Sequence, residues 1–155
     1  MLAAPNLKDH KTMLFRFILL LTALSTLIAL PAAAQQISAP EAWEAARAGK
    51  LTIIDIRTPP EWKQTRVAEG AKLIDMLHPQ GPTGFMNEVL RQVGGDRNAP
   101  IALICRTGNR TSQVLRYLHA QGFSNAVHIP EGMAGSGFGP GWLRRGLPTE
   151  ACAVC

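Results

Sequence analysis

Four apolar residues, Ile101-Ala102-Leu103-Ile104, deliver Cys105 into the polar turn Arg106-Thr107-Gly108-Asn109-Arg110. A thiol in that position could serve as a nucleophile. The apolar run reads as a short buried strand, and Thr111 to Gln121 places Val114, Leu115 and Leu118 on one helical face. Cys105 therefore sits at a strand-to-helix crossing. Amides of the turn and of the first helical turn point at such a site, and the helix dipole favours an anion there. Arg106 and Arg110 add positive charge. These influences predict a thiol held partly or wholly as thiolate near neutrality, as reactive cysteines in such settings have pKa values of roughly 3.5 to 7.5. A free cysteine at a strand end is more commonly just buried packing. The two arginines, Gly108 and the helix start outweigh that plainer reading.

The spacing narrows the chemistry. A tyrosine phosphatase loop places arginine at Cys-x5-Arg to fork a phosphate, whereas Arg110 comes one residue early and Thr111 stands at that position. A cradle one residue shorter fits phosphate poorly. The segment resembles the six-residue active-site loop of rhodaneses, the sulfurtransferases, which begins with the nucleophilic cysteine and here spans Cys105 to Arg110. The resemblance extends over roughly residues 38 to 150. Asp55-Ile56-Arg57 followed by Glu61-Trp62 is similar to that family's Asp-x-Arg segment and Glu-aromatic pair, and Gly70-Ala71 to its Gly-Ala step. Within the family the Asp-x-Arg residues mainly support the fold, and Asp55 and Arg57 are assigned that role only. Two departures stand out. Thr65-Arg66 replaces a frequent Gly-His pair, and Gly135 to Gly141 reads as an inserted glycine-rich loop, either a surface connection or a rim over the site.

The elements that must position the cysteine follow from periodicity and punctuation. Ser38-Ala-Pro-Glu41 is a capping box, so Pro40 to Ala48 is predicted helical, with Trp43 and Ala46 toward the core and Gly49 ending it. Leu51 to Ile56 reads as a central strand, Pro59 to Lys63 as the start of a short helix, and Ala71 to Asp75 as a second strand. Gly84 to Val93 reads as a helix closed by Gly94-Gly95, Pro100 to Ile104 as the cysteine-bearing strand, and Ala126 to Ile129 as a final strand. Alternating strands and helices predict an α/β fold, a rhodanese-like parallel sheet flanked by helices on both faces. Ligands then bind beyond the carboxyl ends of the strands, where Cys105 emerges.

Lys8, Lys11 and Arg16 precede the apolar run Phe17 to Leu30 and the small residues Ala32 and Ala34. This is a secretory signal-peptide pattern over residues 1–34, with translation starting at Met1 or Met13. The run is shorter than the ~20 residues that span a bilayer, so contact with the membrane is expected only transiently, through this segment. The predicted location is the periplasm or the secreted fraction. The remaining roughly 120 residues suffice for one domain, assigned to 37–150, and a tail at 151–155. The chain as a whole carries a formal charge of +5. No dense basic stripe with interleaved aromatics accompanies that charge, which argues against nucleic acid and leaves small anions as partners.

In an oxidising compartment Cys152 and Cys155 could pair locally, or resolve or accept sulfur from Cys105. His78, His119 and His128 share no metal-ligand spacing and read as surface or satisfied core residues. Trp43, Trp62 and Trp142 read as packing. No metal and no organic cofactor is called for.

The resemblance implies a sulfurtransferase. Cys105 takes sulfane sulfur from a donor such as thiosulfate, becomes a persulfide, and passes the sulfur to a thiol or cyanide. Residues Arg106, Thr107, Gly108, Asn109 and Arg110 surround the sulfur, with Arg106 or Arg110 holding the donor's oxyanion. Two other readings use the same chain: a persulfide carrier that takes sulfur from a protein partner without turnover, and a thiol-disulfide oxidoreductase using Cys152 and Cys155.

Overall fold

A computed structural model describes residues 35–153 and 155 of the chain, so the export segment predicted at residues 1–34 lies outside the described residues. In chain order the elements are α1 (Ala39–Arg47), β1 (Thr52–Asp55), α2 (Pro59–Thr65), β2 (Val67–Ala68) and β3 (Lys72–Leu73). These are followed by α3 (Gly81–Gln92), β4 (Ile101–Ile104), α4 (Asn109–Ala120), β5 (Ala126–His128) and β6 (Thr149–Glu150). Strands β3, β1, β4 and β5 lie side by side in that order, all parallel. The chain leaves β1 toward β3 and then returns to the other side of β1 for β4. That reversal opens a crevice beyond the carboxyl ends of β1 and β4, the place where α/β sheets bind ligands.

Alternation along the strands divides the core into two layers. Ile54 and Ile56 of the β1 segment and Ile101, Leu103 and Cys105 of the β4 segment face one side, packed with Phe85 and Val89 of α3 and Val114, Leu115 and Leu118 of α4. Ile53, Ala102 and Ile104 face the other side, against Ala39 and Ala42 of α1, Met133 and Trp142. Both faces are covered, which is why β4 is a continuous apolar run rather than an alternating one.

The Ser38 capping box forms, with the Ser38 hydroxyl accepting from Glu41 N–H and the Glu41 carboxylate accepting from Ser38 N–H at 3.1 Å. The buried stripe of α1 centres on Ala39 and Ala42, and Trp43 and Ala46, expected to face the core, are half-buried and pack against it. The first turn is also tied to the rest of the fold, with Ala39 N–H donating to the buried Glu131 carboxylate at 2.9 Å. Trp43 still meets Trp142 edge to face, with ring centroids 6.2 Å apart.

Two further features differ from expectation. The second strand is confined to Lys72–Leu73, and α3 begins at Gly81 rather than Gly84. A separate antiparallel pair joins β2 to β6, matching Val67 with Glu150 and Ala68 with Thr149. Arg66, where the sequence departs from Gly-His, adopts φ 64° and ψ 178°. Non-glycine residues rarely hold that conformation, which costs on the order of 1–3 kcal/mol. It persists because the Arg66 carbonyl accepts from Arg57 at 2.8 Å and its guanidinium donates to Thr149 at 3.1 and 3.0 Å.

Candidate active site

Cys105 ends up where its sequence places it, directly after β4 and before α4, and it is 1% exposed. One side of the residue belongs to the apolar layer. The thiol itself meets polar groups: Gly108 N–H donates to Sγ at 3.2 Å, and the Thr111 hydroxyl lies 3.8 Å from it. Gly108 makes this turn with φ 86° as the residue before α4, and its carbonyl accepts from Ser112 N–H at 3.1 Å. Sγ thus lies beside the amino end of a twelve-residue helix, where the backbone dipole favours negative charge.

A second backbone segment holds the loop from outside. Met133 N–H donates to the Cys105 carbonyl and Ala134 N–H to the Arg106 carbonyl, both at 2.9 Å. Contact is close enough that a Cβ on Gly108 would sit 2.1 Å from the Pro130 oxygen, and one on Gly132 would sit 2.5 Å from the Arg106 oxygen. The Glu131 carboxylate anchors this segment. It accepts from Ala39 N–H and Gly141 N–H at 2.9 Å each and from Arg145 Nε at 2.8 Å. Burial alone would raise its pKa, but these donors outweigh burial and hold it below the usual carboxylate value. The glycine-rich stretch expected as an inserted loop is therefore tied to the site's backing through Gly141.

The two loop arginines have different surroundings. Arg110 is expected from the sequence to be available to an oxyanion, yet both ends of its guanidinium donate to Glu61, at 2.7 and 2.5 Å. Glu61 also accepts from Thr58 N–H at 3.1 Å, so one carboxylate caps α2 and ties it to the start of α4. Hydrogen bonds from Arg110 pull the Glu61 pKa from 4.5 down to about 2, against burial and with help from Thr58. Arg106 is exposed and lines a cavity of about 60 Å³ with Glu61, Thr65, Met133 and Leu143 among its neighbours. Unlike Arg110, Arg106 has no carboxylate partner among the described residues. Larger cavities, of about 270 and 410 Å³, are lined by other residues, beside α1 and beside β3 with the tail.

Because the folded pKa of Glu61 is depressed, its pairing stabilises fully above about pH 4.5 and fades as pH falls through about 2. Urea unfolding of the wild type and Glu61→Gln should therefore show a stability gap near neutrality that closes on acidification over that window. A gap independent of pH would contradict the pairing.

Thr111, given no part in the site by the sequence reading, lies beside the thiol, and His128, read as a surface or satisfied core residue, lies behind Thr111. Thr111 is fully buried, its hydroxyl donating to the Gly108 carbonyl at 2.8 Å and lying 3.0 Å from His128 Nδ1. Burial lowers the His128 pKa. Beneath the site, buried Arg57 forks the buried Asp55 carboxylate at 2.9, 3.0 and 2.6 Å and reaches Thr65 and Arg66. Cys152 and Cys155 form a disulfide in the tail after β6, and Cys105 is free. Among the described residues no group of three or more His, Cys, Asp or Glu could hold a metal ion, and no helix is long and apolar enough to cross a membrane.

A family model described as the rhodanese-like domain matches residues 38–135. The chain belongs to that family. The rhodanese-like stretch is similar to the probable adenylyltransferase/sulfurtransferase MoeZ of Mycobacterium tuberculosis, 37% identical over 86 residues. That match covers 54% of this chain and 19% of the relative, so the chain corresponds to about a fifth of MoeZ. A sulfurtransferase of Allochromatium vinosum is 27% identical over 101 residues, covering 65% of this chain and 79% of the relative. Among solved structures, Rv0390 of M. tuberculosis superposes with a TM-score of 0.61 at 22% identity, covering 76% of this chain and 97% of that one. The rhodanese-like fold is shared at this level, with its parallel sheet and four helices.

Proposed function

We propose that this rhodanese-like protein is a sulfurtransferase that carries sulfane sulfur on Cys105. The observation that carries this reading is a single free cysteine at the mouth of β4, met by the Gly108 amide and backed by the amino end of α4. In the first half-reaction the Cys105 thiolate attacks the outer sulfur of a donor such as thiosulfate. The S–S bond of the donor breaks, sulfite leaves with the electron pair, and a Cys105 persulfide remains. In the second, a thiol or cyanide takes the outer sulfur and Sγ recovers the electron pair. Two easier displacements replace one difficult transfer.

The loop residues divide the work. Gly108 supplies an amide to the sulfur, Arg106 meets the donor's oxyanion, and Arg110 with Glu61 fixes the helix start in place. Thr107 and Asn109 contribute the chain that closes the turn. A thiol this enclosed favours a small anionic donor over one that must bring a bulky surface to Sγ, which favours turnover over a carrier role. The export pattern at residues 1–34 supports a periplasmic or secreted location, and the Cys152–Cys155 disulfide suits an oxidising compartment.

Initial rates measured over a grid of thiosulfate and cyanide concentrations test the scheme. Double displacement gives parallel reciprocal plots. Intersecting plots would require both substrates on the protein at once and would overturn it, while sulfur uptake without thiocyanate formation would leave a carrier.

A further inference from the structure

Among the groups that this scheme leaves unused, His128 has the most defined surroundings. It is 6% exposed on β5, and its Nδ1 lies 3.0 Å from the hydroxyl of the fully buried Thr111. That hydroxyl also touches the Gly108 carbonyl at 2.8 Å and Sγ of Cys105 at 3.8 Å. A hydroxyl has one proton and two acceptor lone pairs. The Gly108 carbonyl can only accept. An unprotonated Nδ1 would also compete for the single proton, leaving none for sulfur in its anionic form. A protonated Nδ1 instead donates into the hydroxyl and removes that competition. The resting thiol then fits as well: Sγ–H and Nδ1–H both donate to Thr111, and Thr111 donates to Gly108.

We propose that His128 is a positioning residue, held as the Nδ1–H tautomer, that keeps the Thr111 proton available to Sγ. The assignment rests on Cys105 being the sulfur carrier and gives that reaction a specific donor. When cyanide attacks the outer sulfur, the Sγ–S bond breaks, thiocyanate departs, and Sγ becomes a thiolate. The Thr111 hydroxyl turns from Gly108 toward that new anion, alongside Gly108 N–H. His128 acts through Thr111 and never meets the substrate.

The test is a single-turnover discharge. Protein loaded with thiosulfate and freed of excess donor is mixed with cyanide, and thiocyanate release is timed for the wild type and for His128→Leu, His128→Asn, Thr111→Val and the Leu/Val double variant. Hydrogen bonds to charged groups are strong enough that His128→Leu should slow discharge roughly tenfold or more. Asparagine carries an N–H donor at a similar reach, so His128→Asn should recover most of the loss. Thr111→Val should be as slow as His128→Leu, and the double variant no slower than either.

Wild-type discharge in His128→Leu, no recovery with asparagine, or additive losses in the double variant would each overturn the assignment. Nitrogen NMR of the wild type reads the tautomer directly and does not depend on any variant folding; a proton on Nε2 with none on Nδ1 would equally refute it. Failure of the wild type to load sulfur on Cys105 would instead refute the underlying sulfurtransferase reading.

Discussion

Arg57→Leu is expected to lower the unfolding free energy by about 3–5 kcal/mol, the usual consequence of stranding one member of a buried ion pair. Asp55 is 0% exposed and Arg57 1%, so the buried carboxylate would keep the residue-57 backbone N–H but lose its three guanidinium contacts. The loss extends further, because Arg57 also donates to Thr65 at 2.5 Å and to the Arg66 carbonyl at 2.8 Å. Those bonds hold Arg66 at its positive φ and set the path from α2 into β2. Domains have only about 5–15 kcal/mol of stability in total, so this variant should lie close to unfolding at room temperature. Urea denaturation followed by far-ultraviolet circular dichroism measures the change. A shift well below 1 kcal/mol would mean that the pair contributes little and that Asp55 finds other donors.

Gly108→Ala should spare the fold and impair the chemistry. A Cβ there would stand 2.1 Å from the Pro130 oxygen, and neither is the end of a flexible side chain. The residue also holds φ 86°, which alanine occupies only under strain. Relief requires the loop to move away from the Ile129–Ala134 segment, carrying with it the amide that donates to Sγ. Displacements of about 1 Å in a catalytic group can cost about a hundredfold in rate, and a loss of that order is expected in thiocyanate formation. Circular dichroism should change little. Near wild-type turnover would show that the Gly108 amide and its contact with Pro130 are dispensable.

The α/β order, the two covered sheet faces and the placement of Cys105 were legible in the sequence because they depend on local signals. Strand and helix periods differ, glycines mark the helix ends, and an apolar run followed by a polar turn marks the mouth of a buried strand. A supporting role for Asp55 and Arg57 was legible through family resemblance, whereas their buried ion pair came only with the structure. What sequence did not reveal depends on partners brought together by folding. Glu61 and Arg110 are separated by 49 positions, so the ion pair that ties α2 to the start of α4 left no local signal. Thr111 and His128 are separated by 17, so neither identity nor spacing announced their contact. Strands β2 and β6 have two residues each, too short for alternation to register. The bond from Ala39 at the start of α1 reaches Glu131, 92 positions away.

Mass spectrometry of the intact protein after brief exposure to thiosulfate tests the central claim most directly. The account predicts a gain of one sulfur atom, removable by cyanide, mapping to the peptide that contains Cys105 and absent from Cys105→Ser. Sulfur retained in Cys105→Ser, or located on Cys152 or Cys155, would contradict it.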